Sequence, residues 1–209
     1  FMVSTGIVKQ SEVDLAKAPH LARILAIDAF WPTSATETGT GEMVTAVEDA
    51  VRMGVDCIKM LLPWQVSDIE KVQYCKRIGK VVGEAAKWDM PVMVEPVFLN
   101  VARSPEIIEA ELEVARVGYD LGADIIKITF PGVDATAKLC AELDIPIVVA
   151  GGPMSGDAKS TLRDIRESIE AGAQGVVVGR KIWQRPEAEA ADMVKEIAGY
   201  TRKSYTRKW

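Results

Sequence analysis

Short runs rich in Val and Ile alternate along this chain with longer amphipathic stretches, and that alternation limits the fold more than any other feature. An apolar run bounded on both sides by turn residues reads as a strand buried on both faces. Helices covering a parallel sheet are the arrangement that buries such strands. Strands are predicted at FMVSTGIV (from Phe1), RILAID (from Arg23), VDCIKMLL (from Val55), PVMVEPV (from Pro91), ADIIKITF (from Ala123), IPIVVAG (from Ile145) and QGVVVG (from Gln174). Helical patterns fall between them: EMVTAVEDAVRMG, SDIEKVQYCKRIGKVVGEAAKW, PEIIEAELEVARVGYDLG and STLRDIRESIEAG. Gly54, Gly122 and Gly172 close helical runs as left-handed caps would, and Ser67-Asp68 and Ser104-Pro105 open them.

A weak internal repeat marks the junctions, Gly-Val-Asp before one strand, Gly-Ala-Asp before another and Gly-Ala-Gln before the last. Repeated βα units either fan into an open doubly wound sheet or close into a barrel. No GxGxxG follows the first strand to favour a dinucleotide fold, so the expected fold class is α/β, a (β/α)₈ TIM barrel, with residues 1–209 forming a single domain. The predicted strands fall one short of the eight such a barrel needs. The first βα unit is therefore expected to lie upstream of Phe1. WPTSATETGTGE, from Trp31 to Glu42, reads as a mobile loop at a strand end.

Composition removes several function classes. Lys and Arg number 25 against 30 Asp and Glu, a net charge of −5, so the chain lacks the basic balance of a nucleic-acid binder. Cys57, Cys75 and Cys140 are odd in number and form no CxxC pair, which reads as reduced thiols. No apolar run approaches the roughly 20 residues of a membrane span, and a cytoplasmic setting is expected. With His20 as the only histidine, His-rich zinc sites and His-based triads have nothing to build from. His20 itself precedes a strand in a polar context and reads as a surface residue. No metal and no organic cofactor is expected.

Three consecutive predicted strands each carry an ionisable residue where an apolar one belongs: Lys59, Glu95 and Lys127. Each is expected in the C-terminal half of its strand, near the face where barrels keep their active sites. A buried Lys–Glu ion pair filling the barrel would account for two of them, but two lysines sharing one carboxylate leave an excess cation. The trio suits Schiff-base chemistry. Burial and a neighbouring cation disfavour the ammonium, so Lys127 is expected to attack a ketone, Glu95 to move protons, and Lys59 to tune its neighbour and hold hydroxyl or anionic groups. Asp28 ends its strand and offers a further substrate contact; a lone strand-end Asp also serves as a helix cap or loop former. Cys57 shares the parity of Lys59 and reads as a small buried hydrophobe.

Gly151-Gly152 and Gly179-Arg180 follow the last two strands. In (β/α)₈ barrels the loops after the seventh and eighth strands often bind phosphate through backbone N–H groups, and Arg180 would add a bidentate donor. An anionic substrate is expected. The basic tail from Thr201 reads as a solvated terminus or a subunit contact.

The strings GVDCIKMLLPW, PVMVEPV, GADIIKITFPG, PIVVAGGP and AGAQGVVVGRKIWQRP together resemble the class I aldolases of the DeoC/FbaB/LacD group, from about Phe1 to Pro186. The GADxxK strand is similar to that family's Schiff-base strand, which implies Lys127 as the covalent lysine. IKxLLPW and VEP resemble the tagatose-bisphosphate and sulfofructose-phosphate branch, which implies active-site roles for Lys59 and Glu95. GGP and VGRKIWQ resemble the archaeal-type fructose-bisphosphate aldolases, whose loops bind substrate phosphate. Two departures stand out. The family's Asp at the end of the first strand has no counterpart here, and the archaeal-type Tyr acid is absent from VMVEPVF, which leaves that role to Glu95. The resemblance implies a homo-oligomeric lyase that cleaves a phosphorylated ketose to a dihydroxyacetone-phosphate-type product and an aldehyde. The alternatives are a thiolase- or transaldol-type member of the same group and a non-catalytic sugar-phosphate-binding barrel.

Overall fold

The computed structural model of the protein describes residues 1–11, 17, 21–29, 42–98, 101–152 and 156–204. His20, Pro153 and most of the predicted 31–42 loop lie outside the described residues, as do positions 205–209 of the tail. The described chain forms two compact units, residues 1–126 and 127–209, and the boundary falls within one strand.

In the first unit the elements run β1 (Met2–Val3), α1 (Thr5–Gln10), β2 (Ile24–Ala26), β3 (Asp28–Ala29), β4 (Glu42–Met43), α2 (Val47–Arg52), β5 (Cys57–Pro63), α3 (Asp68–Ala85), a 3₁₀ turn (Ala86–Trp88), β6 (Val92–Val97), α4 (Pro105–Asp120) and the first residues of β7 (Ile125–Thr129). The parallel order is β1-β2-β5-β6-β7. Strands β3 and β4 form a separate antiparallel ribbon with Asp28 opposite Met43. The second unit holds the rest of β7, then α5 (Val133–Glu142), β8 (Ile147–Ala150), α6 (Ala158–Glu170), β9 (Gly175–Val177), α7 (Arg180–Trp183) and α8 (Glu187–Ser204). Its strands follow the order β7-β8-β9, with Val148 beside Gly175. Parallel strands alternating with helices are the architecture the sequence predicts.

Local signals act as expected. Ser67 and Glu70 close a capping box at the start of α3, and Ser104 caps α4 by accepting from the Ile107 N–H. Gly54, Gly122 and Gly172 have φ of +65°, +92° and +115°, values a side chain would resist.

The Gly-x-Asp/Gln repeat proves to be a register latch. The Asp56 carboxylate accepts from the Arg23 N–H at 2.7 Å, while the Asp56 N–H donates to the Arg23 carbonyl at 2.9 Å. Asp124 does the same with Val92 (2.8 and 2.9 Å), and Gln174 with Ile147 (2.8 and 2.9 Å). Each latch ties the entry of one strand to the entry of its parallel neighbour.

Three expectations are corrected. The opening strand ends at Val3, and Thr5–Gln10 is helical: Val8 is buried while Ile7 is exposed, and the Val8 N–H reaches back to the Ser4 carbonyl at 3.0 Å. Glu42 and Met43 begin no helix, because they pair with Ala29 and Asp28; α2 starts at Val47. Lys59 is third in the strand Cys57–Pro63, so it lies before the midpoint, whereas Glu95 lies past the midpoint of Val92–Val97.

Helix α4 approaches the sheet through Gly118. A Cβ there would stand 2.9 Å from Ile126 Cδ1 and 3.2 Å from Val94 Cγ1. Both neighbours are fully buried and β-branched, so they have little room to repack. Overpacking costs about 1–3 kcal/mol, against roughly 1 kcal/mol gained in helix propensity. Gly118→Ala is therefore expected to lower the melting temperature by a few degrees, roughly 2–4 °C per kcal/mol for a chain of this size. A scan showing equal or higher stability would contradict that packing.

Candidate active site

Strand alternation sorts the site in the first unit. Val94 and Ile126 point at Gly118 on helix α4, so Met93 and Glu95 point to the opposite face of the sheet. Register places Lys59 beside Met93 and Leu61 beside Glu95, which puts Lys59 and Glu95 one diagonal step apart on that same face. Lys59 Nζ lies 2.8 Å from Glu95 Oε2, with side-chain exposures of 6% and 18%. Water screens the pair little.

Asp28 belongs to the same centre. Its Oδ2 accepts from the Leu61 N–H at 2.6 Å, and its Oδ1 is buried with no hydrogen-bond partner among the described residues. Burial holds this carboxyl above the ordinary Asp range; the Lys59 charge, the Leu61 N–H and the residue's own N–H pull it back down, and Glu95 adds to the rise. Sequence offered Asp28 only as a strand-end contact. Its link to Leu61 spans 33 residues and no local pattern announces it.

Lys127 is 6% exposed. It follows Ile126 in β7, so alternation sends the two side chains to opposite faces of the strand. Thr129 shares the parity of Lys127 and lines a cavity of about 180 Å³ in the second unit. That cavity opens at the C-terminal ends of β7 and β8, and Gly151, Gly152, Asp164 and Lys181 contribute to its wall.

Gly152 has φ of +72°, and a Cβ on Gly151 would meet Val178 Cγ1 at 2.9 Å, so a bare backbone is required there. Gly179 caps α7 beneath the ring of Trp183. Arg180 is exposed and is not part of the cavity wall; its neighbour Lys181 is. Successive residues of a helix point about 100° apart, and the VGRK string alone does not tell which of the two cations turns inward. Thr129 and Asp164 were also missed, since neither stands out from an ordinary strand end or helix face.

All three cysteines are free. Burial pushes Cys57 up to about 12 and Cys140 up to about 11, so neither is a nucleophile near neutral pH. Among the described residues no helix is long and apolar enough to cross a membrane, and no three His, Cys, Asp or Glu side chains group as metal ligands.

The chain is similar to 2-amino-4,5-dihydroxy-6-oxo-7-(phosphonooxy)heptanoate synthase of Streptomyces griseus, at 30% identity over 74% of this chain and 57% of the relative. It is 30% identical to the class 1 fructose-bisphosphate aldolase of Thermoproteus tenax over 68% of this chain and 55% of that protein. The chain thus spans little more than half the length of these curated relatives. The structure of an archaeal fructose 1,6-bisphosphate aldolase superposes with a TM-score of 0.77 at 24% identity, covering 95% of this chain and 77% of that one. That likeness shows the fold, which is of the (β/α)₈ TIM-barrel class. The family model for the DeoC/LacD family aldolases matches residues 1–185, and on that match the chain belongs to the DeoC/LacD aldolase family.

Proposed function

We propose that residues 1–209 act as one aldolase-type domain, a class I aldolase that cleaves a phosphorylated ketose through a Schiff base on Lys127. The observation that carries this reading is a lysine buried to 6% exposure within a strand, sharing a strand face with Thr129 of the cavity wall. In the proposed sequence the neutral Lys127 amine adds to the ketone carbon, and loss of water from the carbinolamine leaves an iminium. The carbon–carbon bond beyond the adjacent carbon then breaks. Its electron pair moves into the iminium to give an enamine, and Glu95 accepts the proton of the departing hydroxyl. An aldehyde leaves. Protonation of the enamine carbon and hydrolysis of the iminium release a dihydroxyacetone-phosphate-type product and restore the lysine. Lys59, held on Glu95 at 2.8 Å, positions that carboxylate for the transfer.

The substrate phosphate falls to the backbone of Gly151 and Gly152 with Lys181, while Gly179 and Arg180 form the adjoining strand-to-helix turn. Gly151→Ala is expected to force Val178 aside and raise KM for a ketose phosphate by about tenfold or more, with a smaller change in kcat. An unchanged KM would remove Gly151 from the phosphate site. A cytoplasmic homo-oligomer is the setting we propose, which three unpaired cysteines fit.

The deciding experiment is borohydride trapping with fructose 1,6-bisphosphate or dihydroxyacetone phosphate, followed by peptide mass spectrometry. A stable adduct on Lys127 is expected. Binding of either ligand without covalent labelling would instead indicate a sugar-phosphate-binding barrel. A transaldol-type reading is favoured by the similarity to a synthase whose product carries a phosphonooxy group on a seven-carbon chain. It predicts the same trapped lysine with a different acceptor aldehyde.

A further inference from the structure

We propose that Asp28 is a neutral, proton-bearing member of the Lys59–Glu95 centre, and that its free Oδ1 holds a hydroxyl or carbonyl oxygen of the substrate. The inference rests on the aldolase reading above and adds a group to its site. Asp28 is 8% exposed, and its two oxygens differ. Oδ2 is committed to the Leu61 N–H, whereas Oδ1 is desolvated and unpartnered among the described residues. A buried polar atom left in that state is costly, and a ligand atom that fills it recovers the loss.

Charge balance points the same way. Lys59 is already paired with Glu95 at 2.8 Å, and burial of Asp28 disfavours a second negative charge beside that pair. A proton on Asp28 removes it and converts Oδ1 from an acceptor into a donor. Lys59 on β5 and Glu95 on β6 are the charged side chains whose fields act on this carboxyl, and burial outweighs the attraction of Lys59. The carboxyl also sits well for the task. Leu61, which it grips, is the register partner of Glu95, so Asp28 is tied to the strand position level with the proposed proton carrier.

The ordering of variants tests this in the full chain, with dihydroxyacetone phosphate binding by calorimetry as a readout that needs no turnover. In Asp28→Asn the amide oxygen still accepts from Leu61 and the amide N–H₂ replaces the acid O–H. Affinity, and kcat/KM for fructose 1,6-bisphosphate, are expected to fall, but at least about tenfold less than in Asp28→Ala. In Asp28→Ala both are expected to fall by about tenfold to a hundredfold. Thermal stability against pH gives a further readout. With the native carboxyl held above its unfolded value, the native state keeps a proton that the unfolded chain releases, so stability falls as pH rises from the unfolded value through the native one. Asp28→Asn is expected to flatten that slope.

Equal losses in the two variants would show that the ionised carboxylate is what matters, and equal retention would reduce Asp28 to a strand tie; either overturns the proposal. Failure of the aldolase reading looks different. There the parent chain gives no borohydride adduct, and the Asp28 proposal still stands or falls on the binding series. A parent that binds no dihydroxyacetone phosphate overturns it as well.

Discussion

Replacing Lys127 by methionine is expected to abolish the borohydride adduct and to cut turnover by roughly 10⁴-fold or more, the scale seen when a covalent nucleophile is deleted. Methionine approximates the volume of the lysine stem and keeps its apolar contacts, so the change falls on the amine. Lys127→Arg keeps the positive charge but has no nucleophilic amine, and it is expected to be as inactive as the methionine variant. A far-UV and thermal scan on both variants separates chemistry from unfolding. If either folded variant retained more than a few per cent of the parent rate, Lys127 would not be the covalent residue.

The second large effect concerns Lys59 and Glu95, whose pairing invites a purely structural account. Breaking a buried pair by removing one partner strands the other charge and costs about 3–5 kcal/mol, whereas replacing both with apolar groups of similar volume is often neutral or stabilising. Glu95→Leu and Lys59→Met are each expected to lower the melting temperature, and the double variant to recover most of that loss. Catalysis should behave differently. Loss of a general acid–base group costs about 10²–10⁴-fold, so the double variant should be folded and slow. Glu95→Gln, isosteric and uncharged, should be slow as well. A double variant that regained stability and rate together would leave the pair with a packing role only.

Much of this was legible in the residues because the decisive signals are local. Lys59, Glu95 and Lys127 break apolar strands, and an interrupted period of two shows in a few residues. Gly54, Gly122 and Gly172 announce helix ends by a backbone requirement, and Ser67 and Ser104 announce helix starts. What stayed hidden depends on contacts distant in sequence. The β3–β4 ribbon joins residues on either side of a predicted loop, so the apolar pattern at Glu42-Met43 read as helix. Asp28 gains its character from Leu61, Lys59 and Glu95, none of them near it in sequence. Arg180 and Lys181 are adjacent cations, and only the direction of a short helix puts the second in the cavity wall. The short first strand belongs to the same class, since Val3 through Val8 carries apolar residues that suit either period.

The latch at Asp56 and Asp124 carries a consequence for how such a protein tolerates change. Lys59 and Lys127 each come three residues after a latching carboxylate. A strand that slides by one residue turns every side chain to its other face, so a slip there would exchange each lysine for a neighbouring isoleucine. The aim of each lysine is thus tied to a carboxylate at the entry of its strand. On the proposed function, the loops at the opposite rim could change without disturbing that aim, while loss of a latching carboxylate would loosen the register on which both lysines depend.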